Sequence, residues 1–287
     1  MKSLDERLTV IILTYNRKTE LRRTLEQLRS LPRQPPLIVV DNASQDGTAA
    51  MVHSAFPDVT LISLPRNLGA AGRNAGARCA QTQYIAFCDD DTWWASGALE
   101  RAVRLLDAHP DVAVLSARVL VGAKESEDPA CSAMASSPLP SEGLPGPVLL
   151  GFLAGAAVMR RVPFIEAGGY EPRFFIGGEE ALLTLDLVSS GWKIVYARQL
   201  TVHHYPSAVR DSSGRYFHLV RNALWVAWMR LPLSAAVRET VRLCRAAYGR
   251  RVLVPAFMSA LYGLPWVLSR RQAIAPETAR WYSRLPR

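Results

Sequence analysis

The run Tyr84-Ile85-Ala86-Phe87 reads as a buried strand. It ends in Cys88 and three consecutive carboxylates, Asp89-Asp90-Asp91, followed by Thr92-Trp93-Trp94. A strand without polar interruptions has to be covered on both faces, so this one belongs inside a sheet and must deliver its acids at the sheet's carboxyl edge. Hard divalent ions such as Mg²⁺ and Mn²⁺ prefer oxygen ligands and commonly join one or two carboxylates to a phosphate-bearing substrate. The cluster therefore suggests a metal-dependent site for a nucleotide or sugar phosphate. Taken alone, an Asp triplet is more simply a solvated acidic loop; its surroundings decide the matter.

Those surroundings alternate strand and helix. Leu8 to Leu13 is apolar and β-branched, Thr19 to Ser30 has Leu21, Leu25 and Leu28 at helical spacing, and Leu37 to Val40 follows three prolines. Thr48 to Phe56 reads as helix, Val59 to Leu64 as strand, and Gly69 to Gln81 as a Gly- and Ala-rich helix. Further on, Glu180 to Ser189 reads as helix and Lys193 to Tyr196 as strand. This order predicts an α/β protein with a mainly parallel central sheet and helices on both faces. Ligands of such sheets collect at the carboxyl ends of the strands. Thr14-Tyr15-Asn16-Arg17 and Asp41-Asn42-Ala43-Ser44 stand at two such ends, beside Asp89-Asp90-Asp91 at a third. Gly122 to Pro147 has no sustained period and is expected to be a loop, either a mobile lid or a plain surface excursion.

With 287 residues and 49% of them hydrophobic, the chain can bury one large core or a main domain with an appendage. Cys79, Cys88, Cys131 and Cys244 have no paired spacing, which suggests a reducing compartment and argues against a thiolate zinc site. Charged residues precede the first apolar run, so the N-terminus does not read as a secretory signal. From residue 210 onward the chain carries 14 Arg and three acidic residues, a net of +11 within a total of +9, leaving −2 for the preceding part. A near-neutral body with a basic tail points to a polyanionic partner at that end.

Four ordered segments resemble the family 2 glycosyltransferases of GT-A fold: Thr9 to Arg17, Ile38 to Thr48, Asn67 to Gly76, and Phe87 to Asp91. The resemblance covers roughly residues 8–205, giving an expected GT-A catalytic domain at 1–209 and a helical, basic C-terminal extension at 210–287. It is nearest to bacterial enzymes of the rhamnosyltransferase type. The resemblance implies that Asp41 accepts a hydrogen bond from a pyrimidine N–H and that Thr14 and Tyr15 hold the base. Asn16, Arg17, Asn67 and Asp90 join the same nucleotide-sugar site. Asp89 would meet the ribose or the metal, and Asp91 the metal. Arg73 would reach a phosphate and Asn74 the base or ribose.

An inverting transfer also needs a carboxylate to take the acceptor's proton. Members of the family usually place an Asp after a Glu in a Gly-Glu-Asp-like motif, with a further acid two residues on. Here the stretch is Gly177-Gly178-Glu179-Glu180-Ala181-Leu182. Glu180 occupies the position of the base and Glu179 is the alternative; Leu182 replaces the further acid. Gly177 and Gly178 suggest close approach to an acceptor, or a tight turn. Trp93 and Trp94 would stack on a sugar, or pack in the core. Of His203 and His204, His204 aligns better as a metal ligand, against a plain structural role.

Val252 to Leu268 is an uncharged apolar run flanked by Arg250-Arg251 and Arg270-Arg271. It contains Pro255, Gly263 and Pro265 and is expected to lie at a membrane interface and not to span it. Val237, Val241, Cys244 and Tyr248 make one helical stripe beside Arg238, Arg242 and Arg245. The combined expectation is a metal-dependent inverting glycosyltransferase. It would be cytoplasmic and peripheral on the inner face of the plasma membrane. It would use a dTDP- or UDP-sugar, with dTDP-rhamnose as the first candidate by resemblance, and a lipid-linked or glycan acceptor. A sugar-nucleotide nucleotidyltransferase and a non-catalytic glycan- or nucleotide-binding protein are the alternatives. The former lacks its Gly-rich phosphate loop here, and a nucleic-acid partner is disfavoured because the carboxylates would repel phosphate.

Overall fold

The computed structural model describes residues 3–207, 213–248 and 252–284. After a short helix α1 (Leu4–Arg7), the chain forms β1 (Leu8–Thr14), α2 (Lys18–Arg29), β2 (Leu37–Asp41), α3 (Thr48–Ala55) and β3 (Thr60–Ser63). The stretch expected as one helix from Gly69 divides into a 3₁₀ turn at Gly69–Gly72 and α4 (Arg73–Cys79). Next come β4 (Tyr84–Asp89), β5 (Thr92–Trp94), α5 (Ala98–Ala108) and β6 (Val112–Val121).

The expected loop at Gly122–Pro147 is only partly one. It contains β7 (Ser126–Glu127), which pairs with β6, and α6 (Pro129–Ala135). The Asp128 side chain caps α6 by accepting from the Ala130 amide at 2.8 Å, and Cys131 is fully buried. The chain continues through β8 (Ala156–Arg160), α7 (Arg161–Glu166), α8 (Glu179–Ser189) and β9 (Lys193–His204). Last come α9 (Ser213–Arg230), α10 (Leu233–Ala246), α11 (Leu253–Tyr262), α12 (Leu264–Ser269) and α13 (Pro276–Arg284).

The strands lie in the order β3-β2-β1-β4-β8-β6-β9-β5. The first four are parallel, β8 is antiparallel to both its neighbours, β6 and β9 are parallel, and β5 is antiparallel to β9. The sheet is thus parallel in the half that bears the first three motifs and mixed in the other. β1, β2 and β4 are buried along almost their whole length, which is why they read as uninterrupted apolar runs. β2 leaves β1 on one side and β4 joins it on the other, so the carboxyl ends of these strands form a topological switch point. Register sets Thr14 opposite Asp41 and Leu13 opposite Asp89.

Two apolar clusters fill the molecule. One surrounds the sheet; the other joins α9 through α13 to Phe174, Leu182 and Leu185. The C-terminal helices therefore share a core with the segment that carries Glu179 and Glu180. The boundary expected at 209/210 lies outside the described residues, as do Arg250 and Arg251. Among the described residues no helix is long and apolar enough to cross a membrane. The apolar run from Val252 forms α11 and α12.

Candidate active site

Chain reversal after β4 fixes the acidic cluster. The Asp89 amide donates to Thr92 Oγ1 at 2.9 Å, closing a tight turn over Asp90 and Asp91 that feeds straight into β5. The three carboxylates then face different partners. Asp89 ion-pairs with Arg73. Gly155 makes room for it, since a Cβ there would collide with the Asp89 carboxylate. Asp90 is buried and accepts from Thr14 Oγ1 at 3.0 Å, with Arg17 Nη1 3.6 Å away. Burial pushes its pKa up to about 7, Asp91 and Asp89 add to the shift, and Arg17 and Thr14 oppose it. Asp91 lies 3.2 Å from Arg17 Nη1 and 3.5 Å from His204 Nε2.

The expected metal set of Asp89, Asp91 and His204 does not gather. Among the described residues no cluster of three or more His, Cys, Asp or Glu is arranged to hold an ion. Asp89 turns to Arg73, the nearer cation. Asp91 and His204 do come together, because β5 pairs with the end of β9 and brings Thr92 opposite His204. One carboxylate and one imidazole suit a hard cation that takes its remaining ligands from a diphosphate, so these two residues fit the divalent ion.

The loops after β1 and β2 are laced together. The Asn16 amide donates to Ser44 Oγ at 2.8 Å, and the Gln45 amide donates to Asn16 Oδ1 at 2.7 Å. Asp41 is buried, with Oδ1 accepting from the Ser44 amide at 3.0 Å. Tyr15 is exposed above this lacing. Asn42, placed at the strand end by the sequence but given no role of its own, spans to the next loop: its Oδ1 accepts from Leu68 N and its Nδ2 donates to Gly69 O, at 2.9 and 3.0 Å. Asn67 closes the same loop by accepting from Gly69 N at 2.8 Å. Asn74 departs from its expected place at the base or ribose. Both ends of its amide pair with the Tyr170 backbone, at 2.8 and 2.9 Å, because α4 packs against the segment after α7.

Glu179 and Glu180 begin α8. Glu179 is buried, and its Oε2 has no hydrogen-bond partner; burial and the adjacent Glu180 raise its pKa to about 8. Glu180 is half-buried, and its pKa is likewise raised by burial, against the pull of backbone hydrogen bonding and Arg73. The Arg73 guanidinium feels Asp89, Tyr170, Glu180 and Glu179 together, so it links the acidic turn electrostatically to the glutamate pair.

The segment before these glutamates is unusual. The Ile176 amide donates to Phe174 O at 2.8 Å across Phe175, whose φ of 63° and ψ of −66° define a classic γ-turn, a rare and strained form. Asn16, Ala43 and Phe175 are three of the four non-glycine residues with positive φ among the described residues, and all three lie in these loops. Asn222 of α9, fully buried, donates its Nδ2 towards the carbonyls of Phe174 (2.8 Å), Ile176 (3.1 Å) and Gly177 (2.5 Å). The sequence carried one signal for it: an amide that, with Arg221 before it, interrupts an otherwise apolar helical stretch, Leu219 to Trp228.

Gly177 and Gly178 have positive φ, and a Cβ would meet Leu219 at Gly177 and Asn222 at Gly178. Their close approach is to α9, which corrects the expectation of a ligand there. Trp94 is fully buried and belongs to the core, so it offers no face to a sugar. Trp93 is partly exposed, with its ring stacked 4.9 Å from Tyr205 and Arg23 lying over it.

An acidic turn at a switch point, with a second carboxylate pair beyond a buried arginine, suits an enzyme that binds a phosphate-bearing ligand beside a general base. The profile of the family described as Glycosyl transferase family 2 matches residues 9–168, and the chain belongs to that family. A pre-mycofactocin glycosyltransferase of Mycobacterium tuberculosis is 30% identical over 72% of this chain and 44% of its own length. An N-acetylglucosaminyl-diphospho-decaprenol L-rhamnosyltransferase of the same species is 25% identical over 82% of this chain and 91% of its own. The chain spans less than half the length of the first curated relatives it matches. Among solved structures, S. aureus TarS 1-349 in complex with UDP-GlcNAc superposes with a TM-score of 0.63 at 15% identity, covering 95% of this chain and 82% of that one. The mannosyltransferase PcManGT of Pyrobaculum calidifontis, in complex with GDP-Man and Mn²⁺, gives 0.58 at 18% identity, covering 99% and 85%.

Proposed function

We propose that the protein is an inverting glycosyltransferase that moves a sugar from a pyrimidine nucleoside diphosphate to a lipid-linked acceptor, with a divalent cation at the diphosphate. The observation that carries this reading is the pair of acidic stations, Asp90-Asp91 with His204 on one side and Glu179-Glu180 on the other, with Arg73 between them. At the second station both carboxylates are shifted upward, Glu179 to about 8, in the direction a general base working near neutrality requires. At the first, Asp90 is raised to about 7 as well, but it accepts from Thr14 Oγ1 and lies beside Arg17.

In this reading the Glu180 carboxylate accepts the proton of the acceptor hydroxyl as its oxygen bonds to the anomeric carbon. The bond from that carbon to the diphosphate oxygen breaks with its electron pair, through an oxocarbenium-like state. Charge collecting on the leaving diphosphate is met by Arg17 and by Arg73, which Asp89 orients. A cation held by Asp91 and His204 would supply Lewis-acid stabilisation of that same charge. Asp41 would read a pyrimidine N–H. The related rhamnosyltransferase name favours rhamnose as the sugar and a polyprenyl diphosphate acceptor for cell-surface polysaccharide. A lipid-linked acceptor in turn requires work at a membrane face.

Calorimetric titration with UDP, dTDP and GDP, each with Mn²⁺ and with EDTA, tests the donor side. Metal-dependent binding of one pyrimidine diphosphate, lost in Asp91→Ala, is the expected result. Binding of none removes the proposal. On the acceptor side, Glu180→Gln should abolish transfer and retain nucleotide binding; unchanged transfer assigns the base elsewhere.

A further inference from the structure

The C-terminal helices are built inside out. On α10 the side chains turned inward are mostly small, Ala235 and Ala236 with Leu243, while Leu233, Val237 and Val241, four residues apart, are 62%, 50% and 43% exposed. α11 repeats the arrangement: Ala256 and Ala260 face inward, and Val254, Met258 and Tyr262, again four apart, are 70%, 60% and 92% exposed. A helix that stabilises a globule by burial does the reverse, keeping its large aliphatics inside. Both helices pack on α9, where Leu243 of α10 and Leu253 and Phe257 of α11 join the alanine contacts, so their inner faces are already occupied.

Charge identifies what covers the outer faces. Arg238, Arg242 and Arg245 are exposed along α10 beside the aliphatic row. Its one acid, Glu239, is turned inward, where it pairs with Arg242. No Asp or Glu occurs between Glu239 and Glu277. Exposed apolar side chains flanked by arginine, with the acid withdrawn, match an anionic lipid surface: the aliphatics enter the acyl boundary while the guanidinium groups meet headgroup phosphate.

We infer that the outer faces of α10 and α11 form a docking surface for a bilayer rich in anionic phospholipid. The inference deepens the membrane side of the proposed function without depending on its chemistry, because docking is read without donor or acceptor. Each exposed arginine near the surface contributes about fivefold to partitioning, so removing charge and removing the apolar rows both count.

The test is co-sedimentation of the full chain with vesicles of phosphatidylcholine alone and of equal parts phosphatidylcholine and phosphatidylglycerol. Two double variants, Val241→Glu/Met258→Glu and Arg238→Ser/Arg245→Ser, accompany the parent, all checked for nucleotide binding and for mass by light scattering. Binding confined to the anionic vesicles, falling at least tenfold in each variant while nucleotide affinity is unchanged, is expected. Equal binding to both vesicle types, no binding to either, or a dimer of the parent that the glutamate variant dissociates would overturn it, the last by assigning the face to a second copy of the chain. Loss of nucleotide binding in the parent would instead count against the catalytic reading and leave docking standing.

Discussion

Asn222 Nδ2 donates to the Phe174 carbonyl oxygen at 2.8 Å, joining the middle of α9 to the corner of the γ-turn that precedes Glu179. The same amide reaches the carbonyls of Ile176 and Gly177, and Arg221 Nη2 adds a bond to Phe174 O at 3.0 Å. A strained turn persists only where its surroundings over-determine it. The C-terminal helices therefore hold the turn before Glu179 and Glu180 in place as well as packing beside it. Asn222→Ala should cost about 2–4 kcal/mol, because buried carbonyls lose their donor. Turnover should fall more than nucleotide affinity, since Asn222 bonds to the turn before Glu179 and not to the loops after β1 and β2. Thermal unfolding, transfer rate and calorimetry on one preparation check both halves of the expectation.

Glu179 gives a pH dependence of defined sign. Its folded pKa, about 8, lies above the ordinary 4.5, so the folded state holds a proton that the unfolded state releases. Stability is full below about pH 4.5 and declines as pH rises to about 8, by at most about 1.4 kcal/mol per pH unit for one such group. Asp90, raised to about 7, acts in the same direction. Glu179→Gln should flatten part of the decline in urea unfolding between pH 5 and pH 8. Transfer needs an ionised base, and the Glu180 carboxyl is shifted upward by burial, so the parent's rate should rise with pH above the ordinary carboxylate range. Removing the neighbouring charge should move that rise to lower pH. A rate unaffected by pH across the window would separate these glutamates from the proton transfer.

The parallel half of the sheet and its motifs were legible because burial on both faces forces continuous apolar runs, and because polar residues end β1, β2 and β4 at one edge. The antiparallel insertion of β8 between β4 and β6 was not legible. Ala156–Arg160 is as apolar as a parallel strand, and strand direction is set by connections that periodicity does not encode. Asn74 and the two glycines illustrate a different limit. Each sits where a ligand contact was expected, yet each is occupied by a remote segment, Tyr170 for Asn74 and α9 for Gly177 and Gly178. Long-range packing of that kind leaves no local trace. The stripe on α10 was read correctly as a stripe, but amphipathicity alone does not say which face turns inward.

Arg73 holds the charge balance of the site. It is buried, ion-paired with Asp89, and attracts both glutamates. Arg73→Met keeps the volume and removes the charge, leaving several carboxylates to repel one another. Breaking a buried pair costs about 3–5 kcal/mol. Asp89 is 43% exposed, so solvent screening should reduce this to about 2 kcal/mol at pH 8. The penalty should shrink at pH 5, where Glu179 is protonated in the folded state. Unfolding free energies at the two pH values test this; an equal loss at both would show that the charge on the glutamates plays no part.

Gly69 joins the loop before α4 to the γ-turn before Glu179 through backbone only. Its φ is +58°, and a Cβ there would collide with the carbonyl oxygen of Phe175, the residue at the centre of the γ-turn. That carbonyl accepts from the Ala70 amide at 2.7 Å, so the two loops touch through a bond that tolerates no side chain. Gly69→Ala meets both penalties, a left-handed φ and a clash with backbone that cannot rotate away. It should cost about 2–3 kcal/mol or push the turn aside. Displacing the turn moves Glu179 and Glu180 relative to the acidic cluster, so transfer should drop by at least tenfold even where the variant stays folded. Gly122→Ala has a comparable φ of +68° with open space around its Cβ, and it isolates the conformational penalty. If the two variants lose equal stability and equal activity, the contact between the loops contributes nothing; a larger loss at Gly69 on both measures is expected.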